Sequence, residues 1–198
     1  ILRTMVDAAQ NSGVRSVVIT FFPHPKRVLQ DLPGRYYINS LEERLALIAD
    51  QKVDMVIAHP FNEQIRNIRA AAFVDQLRDR LDMRQIWGGN FAFGYEREGN
   101  QAFLKHLGPE KGFSVQLVES MESWNGELVS SSRIRKSLAA GEIGDVNGCL
   151  GRPYVVSGTV IKGDQRGRAI GFPTANLGIG PLQLPKDGVY AVVARVLD

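Results

Sequence analysis

The sequence predicts an α/β fold over residues 1–150, a parallel sheet covered by helices on both faces, followed by a smaller, mainly β domain over residues 151–198. Three observations carry this reading. Helical and strand-like spacing alternate four times between Leu2 and Val118. The strand segments are near-continuous apolar runs, as expected of strands buried on both faces. After Leu150-Gly151-Arg152-Pro153 the period changes, and strand-like runs are joined by sequence rich in Gly and Pro. At about 150 residues per domain, the 198-residue length suits one large domain and one small one.

Taken in order, Leu2, Met5, Val6 and Ala9 give a helix over 2–11, stopped by Asn11-Ser12-Gly13, and Val14 to Phe22 follows as a buried strand. Ser40 with Glu43 three residues on has capping-box form and opens a helix running to Gln51, before a short strand from Val53 to Ala58. The third round pairs a helix over Ala70 to Leu81 with a strand from Arg84 to Trp87. The fourth pairs a helix over Gln101 to Gly108 with a strand from Ser114 to Val118. A helix from Ser130 to Ala140 precedes the boundary placed near Leu150. Beyond it, Tyr154 to Ile161 and Gly188 to Val196 read as strands, and no internal repeat is evident. Ile1 falls within the first helix, Asp198 directly follows an apolar run, and there is neither an initiator Met nor a signal sequence. The expectation is a part of a longer polypeptide.

Composition narrows the function. With 44% hydrophobic, 23% charged and 8% aromatic residues the chain sits at the globular average, and no apolar run approaches the roughly 18 residues of a membrane span. The 24 Lys and Arg against 21 Asp and Glu leave a net charge of +3, with the signs interleaved, so bulk binding to nucleic acid or membrane is not indicated. The single cysteine, Cys149, cannot form an internal disulfide, reads as a buried core thiol, and suits a reducing cytoplasm. Oligomeric state is left open.

Four clusters have the composition of a site. Thr20-Phe21-Phe22-Pro23-His24-Pro25 sets an imidazole between prolines at the carboxyl end of a strand, where α/β sheets bind ligands; an exposed His on a stiff turn is the plainer reading. Gly88-Gly89-Asn90-Phe91-Ala92-Phe93-Gly94 offers close backbone approach, a two-way hydrogen-bonding amide and two ring faces, and one of Phe91 and Phe93 is expected to serve the core instead. Ser130-Ser131-Ser132-Arg133-Ile134-Arg135 joins hydroxyls, free N–H groups and a guanidinium one turn on, either a phosphate cradle or ordinary capping followed by surface arginines. In the run from Gly158 to Leu177, glycines at 163, 167 and 171 alternate with bases, and Thr174 and Asn176 are hard oxygen donors suited to Mg²⁺. It lacks the Gly-Lys-Ser/Thr ending of a Walker loop, and a basic hairpin loop accounts poorly for Phe-Pro-Thr-Ala-Asn.

In their order these pieces resemble one family, the bifunctional bacterial riboflavin kinase/FMN adenylyltransferases, or FAD synthetases. Its adenylyltransferase half has Thr-Phe-x-Pro-His-Pro, here 20–25, Gly-x-Asp-Phe-x-Phe-Gly, here 88–94, and Ser-Ser-(Ser/Thr)-x-Ile-Arg, here 130–135. Its kinase half has Gly-Arg-Pro-Tyr, here 151–154, Gly-Phe-Pro-Thr-Ala-Asn-Leu, here 171–177, and Gly-Val-Tyr-Ala-Val, here 188–192. Asn90 departs from the family's usual Asp, keeping hydrogen bonding and losing the charge. The family's His-x-Gly-His signature falls before Ile1 and its catalytic Glu beyond Asp198, so the resemblance implies half-sites incomplete as given.

The resemblance implies a Rossmann-like nucleotidyltransferase domain followed by the start of a small β-barrel flavokinase domain. It implies that riboflavin and ATP give FMN, and that FMN and a second ATP give FAD and pyrophosphate. Ser131, Ser132 and Arg135 then serve the ATP phosphates as the catalytic group, Arg135 stabilising the leaving pyrophosphate. His24, Asn90, Phe91 and Phe93 line the flavin and nucleotide pocket. Gly163 and Arg168 shape the kinase cleft, and Thr174 and Asn176 hold Mg²⁺. One alternative is an adenylyltransferase whose second domain only docks. Another, of a different class, is an RNA-binding module, disfavoured because Tyr154 and Phe172 form no stacking stripe.

Overall fold

The structure, a computed structural model, describes residues 1–118 and 122–196. The chain divides into two compact units, Ile1–Leu32 with Leu41–Ser120, and Pro33–Ser40 with Met121–Asp198.

In the first unit the order is α1 (Leu2–Asn11), β1 (Val17–Phe22), α2 (Pro25–Leu29), α3 (Leu41–Ala49), β2 (Met55–Pro60), α4 (Glu63–Arg66), α5 (Ala70–Leu81), β3 (Gln85–Gly88), α6 (Gln101–Lys111) and β4 (Ser114–Leu117). β1 and β2 pair in parallel from Val17↔Met55 to Phe22↔Pro60, and β3 and β4 from Gln85↔Ser114 to Gly88↔Leu117. The register of the first pair is fastened where the strands begin. The Asp54 carboxylate accepts from Ser16 N at 2.7 Å and Ser16 Oγ at 2.6 Å, while Asp54 N donates to Ser16 Oγ at 2.9 Å. A slip by one residue would break all three bonds and turn every side chain of the strand to the opposite face. These bonds, the Ser16 hydroxyl first, hold the Asp54 carboxyl below its ordinary pKa. They also explain why β1 and β2 start later than the apolar runs predict, since Ser16 and Asp54 are taken up by the clasp.

Val74 of α5 and Leu104 of α6 are fully buried, Leu107 and Phe113 are buried beside them, and Ile86, Val115, Phe93 and Phe103 pack against this cluster. Burial at these positions stabilises by about 1.5–3 kcal/mol per large apolar side chain. Asn100 caps α6 by accepting from Phe103 N at 3.0 Å. The alternation is thus seen as expected, but as two separate parallel pairs rather than one continuous sheet. Periodicity marks which segments are strands; neighbours are decided by long-range closure that no local pattern encodes.

The first paired strands of the second unit form an unpredicted hairpin, β5 (Ser123–Trp124) and β6 (Glu127–Leu128). Its turn, Asn125-Gly126, has φ of 51° and 78°, the two positive values that a tight right-twisted hairpin requires. α7 (Ser131–Ala140) and α8 (Ile143–Leu150) end on Gly141 and Gly151 in the left-handed region and bury Ile134, Leu138 and Val146 between them. α8 was not predicted because Gly144 and Gly148 weaken its helical pattern. β7 (Thr159–Ile161) and β8 (Asn176–Gly178) form an antiparallel pair, with α9 (Arg166–Ala169) in the glycine-rich loop between them.

The run Gly188 to Val196, predicted as a strand, joins no ladder among the described residues, and Val189 and Val193 are fully exposed. A run of β-branched residues becomes a strand only when a neighbour accepts its hydrogen bonds. The unit is mixed α/β, without a closed barrel among its described residues.

Gly148 faces the indole of Trp124, and a β-carbon there would overlap the ring. Gly148→Ala gains about 1 kcal/mol of helix propensity but introduces overpacking of about 1–3 kcal/mol. The expected outcome is a lower Tm, read by thermal denaturation of the full-length protein.

Candidate functional site

The Ser130–Arg135 motif forms the first turns of α7. Ser130 performs the capping, its Oγ accepting from Arg133 N at 3.2 Å, which leaves Ser131 and Ser132 exposed on the first turn. Uncompensated N–H groups and the positive end of the dipole favour an anion at this terminus. The two arginines diverge. Arg133 turns into the protein: its guanidinium grips the Asp145 carboxylate through Nε and Nη2, and Nη1 donates to Trp124 O at 3.0 Å and Glu127 O at 2.9 Å. It therefore ties the β5–β6 hairpin to α8 and is no surface arginine, its side chain being 15% exposed. Arg135 is half-buried, with Nε donating to Tyr36 O at 2.9 Å and Nη1 to Ser131 O at 3.2 Å, and its guanidinium carbon lies 3.9 Å from the centre of the Tyr36 ring. Among the described residues Nη2 has no hydrogen-bond partner, so part of the fork remains open to an anion.

Asp145 also accepts from Ser137 Oγ at 2.7 Å. The Arg133 guanidinium, and after it the Ser137 hydroxyl, hold the Asp145 carboxyl below the usual carboxylate range. Burial raises the nearby Cys149 thiol, away from nucleophilic reactivity. Because the folded-state pKa of Asp145 is depressed, its contribution to stability is complete above an unfolded carboxylate pKa of about 4 and disappears as pH falls through the lower folded value. Asp145→Asn is expected to flatten the acid limb of Tm against pH below about pH 4, a difference that melting curves across that range measure.

In the first unit, His24 is the N-cap of α2: Lys26 N donates to its Nδ1 at 3.1 Å, which fixes the proton of a neutral ring on Nε2. The preceding Phe22–Pro23 bond is cis. Nearby, Arg44 Nη1 donates to Thr20 Oγ1 and Phe21 O, both at 3.3 Å, and Phe21 meets His59 and Phe61 edge-on at 6.0 and 5.7 Å. The carboxyl ends of β1 and β2 thus gather Thr20, His24 and an aromatic group to which the sequence reading had not assigned His59 or Phe61.

The end of the loop after β3 is tied to the start of α5 by Glu98, whose carboxylate accepts from Arg69 Nε at 2.8 Å and Ala70 N at 2.6 Å. Phe93 exchanges backbone hydrogen bonds with Gly99, packs on Phe73 and Phe103 and belongs to the core. Asn90 and Phe91 line an open cavity of about 390 Å³ with Asn100, Gln101, Ala102 and Lys105. The sequence reading had not singled out Lys105; the only local cue is its position one turn into the helix that follows the Gly loop.

The Gly158–Leu177 cluster comes together around the β7–β8 pair, in which Ile161 lies opposite Asn176. Gly163 sits directly against the Asn176 amide and Gly167 against Phe172 O and the Thr174 hydroxyl, so a β-carbon at either glycine would fill the space these side chains occupy. Thr174 and Asn176 are exposed and supply two neutral hard oxygens, a donor set that fits Mg²⁺ completed by phosphate and water. Arg168 lies on α9, exposed, and Arg166 pairs with Asp164 at 3.1 Å.

The family model for FAD synthetase matches residues 1–133, and that for riboflavin kinase matches residues 150–198. The chain belongs to the FAD synthetase family. Curated relatives include the bifunctional riboflavin kinase/FMN adenylyltransferases of Listeria monocytogenes, 34% identical over 99% of this chain and 63% of the relative, and of Pseudomonas fluorescens, 35% identical over 97% and 62%. Among solved structures, one described as a macrolide-efflux protein from Streptococcus pneumoniae superposes with a TM-score of 0.78 at 27% identity, covering 96% of this chain and 62% of that one. The chain thus spans a little under two thirds of the length of these relatives. Among the described residues of this family member, no helix is long and apolar enough to cross a membrane.

Proposed function

We propose that this chain serves FAD biosynthesis through two transfers in sequence. In the first, the riboflavin 5′-hydroxyl attacks the γ-phosphorus of ATP, giving FMN and ADP. In the second, a phosphate oxygen of FMN attacks the α-phosphorus of another ATP, giving FAD and pyrophosphate. The observation that carries this reading is the succession of FAD synthetase and riboflavin kinase matches along one chain, 1–133 then 150–198. The kinase match favours two activities over an adenylyltransferase with a merely docking second domain.

Neither transfer needs a protein nucleophile; both rest on in-line positioning and on neutralising charge that builds on phosphate oxygens. Residues 1–150 form the adenylyltransferase domain in this reading, with Ser131, Ser132 and the α7 N–H groups receiving ATP phosphates and Arg135 countering the charge of the departing pyrophosphate. His24, Asn90, Phe91 and Phe93 serve the flavin and nucleotide pocket, Phe93 from the core side. Residues 151–198 begin the flavokinase β-barrel, where Gly163 and Arg168 shape the cleft and Thr174 and Asn176 hold Mg²⁺. When bound, Mg²⁺ offsets the negative charge of the ATP phosphates. The protein acts in the cytoplasm on small molecules, without nucleic acid or membrane. The test is product analysis: purified full-length protein given riboflavin, ATP and Mg²⁺ is expected to yield FMN and then FAD with release of pyrophosphate. Failure to convert either flavin overturns the corresponding half.

A further inference from the structure

Arg135 owes its position to a segment far from it in sequence. Residues 33–40 of the second unit run beside residues 181–183, where Tyr36 N and Tyr37 N both donate to Pro181 O, at 2.9 and 3.1 Å, and Gln183 N donates to Tyr37 O at 2.8 Å. Tyr37 and Leu182 form a parallel bridge there, 4% and 3% exposed, so the backbone of Tyr36 is set by a buried, hydrogen-bonded contact. Tyr36 in turn offers Arg135 its carbonyl, 2.9 Å from Nε, and the face of its ring. The Tyr37 ring abuts the Tyr36 ring edge-on at 5.9 Å and limits its rotation. From the other direction, Gln183 Nε2 donates to Arg135 O at 2.8 Å, and Gln183 O accepts from Tyr154 Oη at 2.5 Å.

An arginine on a helix surface samples many rotamers, and a carbonyl at Nε with an aromatic ring beneath the plane selects one of them. The ring and carbonyl occupy one face and one edge of the guanidinium and leave Nη2 presented. We propose that Tyr36 is a positioning residue for adenylyl transfer: it aims Arg135 at the pyrophosphate, and residues 181–183, next to the kinase motifs, hold Tyr36 in place. This rests on the assignment of Arg135 to the ATP phosphates. Adenylylation therefore depends on a contact supplied by the part of the chain that matches riboflavin kinase, whereas phosphorylation of riboflavin does not depend on Tyr36.

The test uses full-length protein and the ratio of FMN adenylylation to riboflavin phosphorylation in the same sample, which cancels any loss of folded protein. Tyr36→Leu keeps the carbonyl and removes the ring face; it is expected to lower that ratio about tenfold, through kcat/KM for ATP in the adenylylation assay. Tyr36→Phe, which retains the ring, is expected to stay within about twofold of wild type. In an Arg135→Ala background, Tyr36→Leu is expected to add nothing, because the residue acts through that guanidinium. Should Tyr36→Leu also lower Tm, Tyr36→Met carries the same comparison with an unbranched chain. An unchanged ratio for Tyr36→Leu, or an equal loss in the Arg135→Ala background, overturns the positioning role while the reading of Arg135 stands. If Arg135→Ala itself leaves the ratio unchanged, the reading of α7 as the phosphate-binding helix fails, and the positioning role with it.

Discussion

Arg135→Ala in the full-length protein is expected to lower FMN adenylylation by about a hundredfold or more while riboflavin phosphorylation stays close to wild type. Loss of one charged stabiliser of a developing oxyanion typically costs two to three powers of ten in rate. Arg135 has the attributes such a stabiliser needs. Its guanidinium is partly shielded from water, two of its nitrogens are engaged by Tyr36 O and Ser131 O, and Nη2 faces no acceptor among the described residues. It also stands one turn above Ser131 and Ser132 at a helix N-terminus, so phosphate oxygens meeting the N–H groups fall within its reach. Arg133 is the internal control. It is committed to Asp145 and to the β5–β6 hairpin, and Arg133→Ala is expected to lower Tm and to reduce both activities only in proportion to the folded protein lost. Separate assays of FMN and FAD formation, with Tm measured alongside, check both. Equal loss of the two activities in Arg135→Ala would place that residue in the fold and not in the site.

The contrast between these two arginines shows where sequence is informative and where it is not. The motif Ser-Ser-Ser-Arg-Ile-Arg reveals a capped helix, because capping is local chemistry over three residues, and the structure assigns the cap to Ser130. Nothing local distinguishes Arg133 from Arg135. Their difference lies in Asp145, twelve residues on, and Tyr36, ninety-nine residues back. The same holds for strands. The apolar runs of β1 to β4 were legible as near-continuous patterns, although in the structure these strands are only half-buried, whereas the clasp between Ser16 and Asp54 that trims β1 and β2 spans thirty-eight residues and was not. The strand expected over Gly188 to Val196 marks the converse failure: β-branched composition states a capacity to pair, and no partner is present among the described residues. The Asn125-Gly126 hairpin was legible in principle, as that dipeptide favours positive φ, but strands of two residues leave no alternation to notice.

Asn176→Ala is expected to raise the Mg²⁺ concentration needed for half-maximal riboflavin phosphorylation by about tenfold, with Tm unchanged. Mg²⁺ prefers oxygen donors in octahedral array, takes few from the protein and completes the rest with phosphate and water, so removal of one of two protein oxygens weakens the site without abolishing it. The placement of Asn176 suits this role. It opens β8 opposite Ile161, its amide lies exposed against Gly163, and the Thr174 hydroxyl lies against Gly167 at the other end of the same glycine-rich loop. A purely structural role would tell differently. If Thr174 and Asn176 only brace the turn after Pro173, alanine would lower Tm and leave the Mg²⁺ curve where it was. Gly163→Ala supplies an independent check, because its β-carbon would displace the Asn176 amide while leaving both oxygens in the chain. It is expected to shift the Mg²⁺ curve in the same direction as Asn176→Ala, and an unmoved curve in both variants would refute the metal assignment.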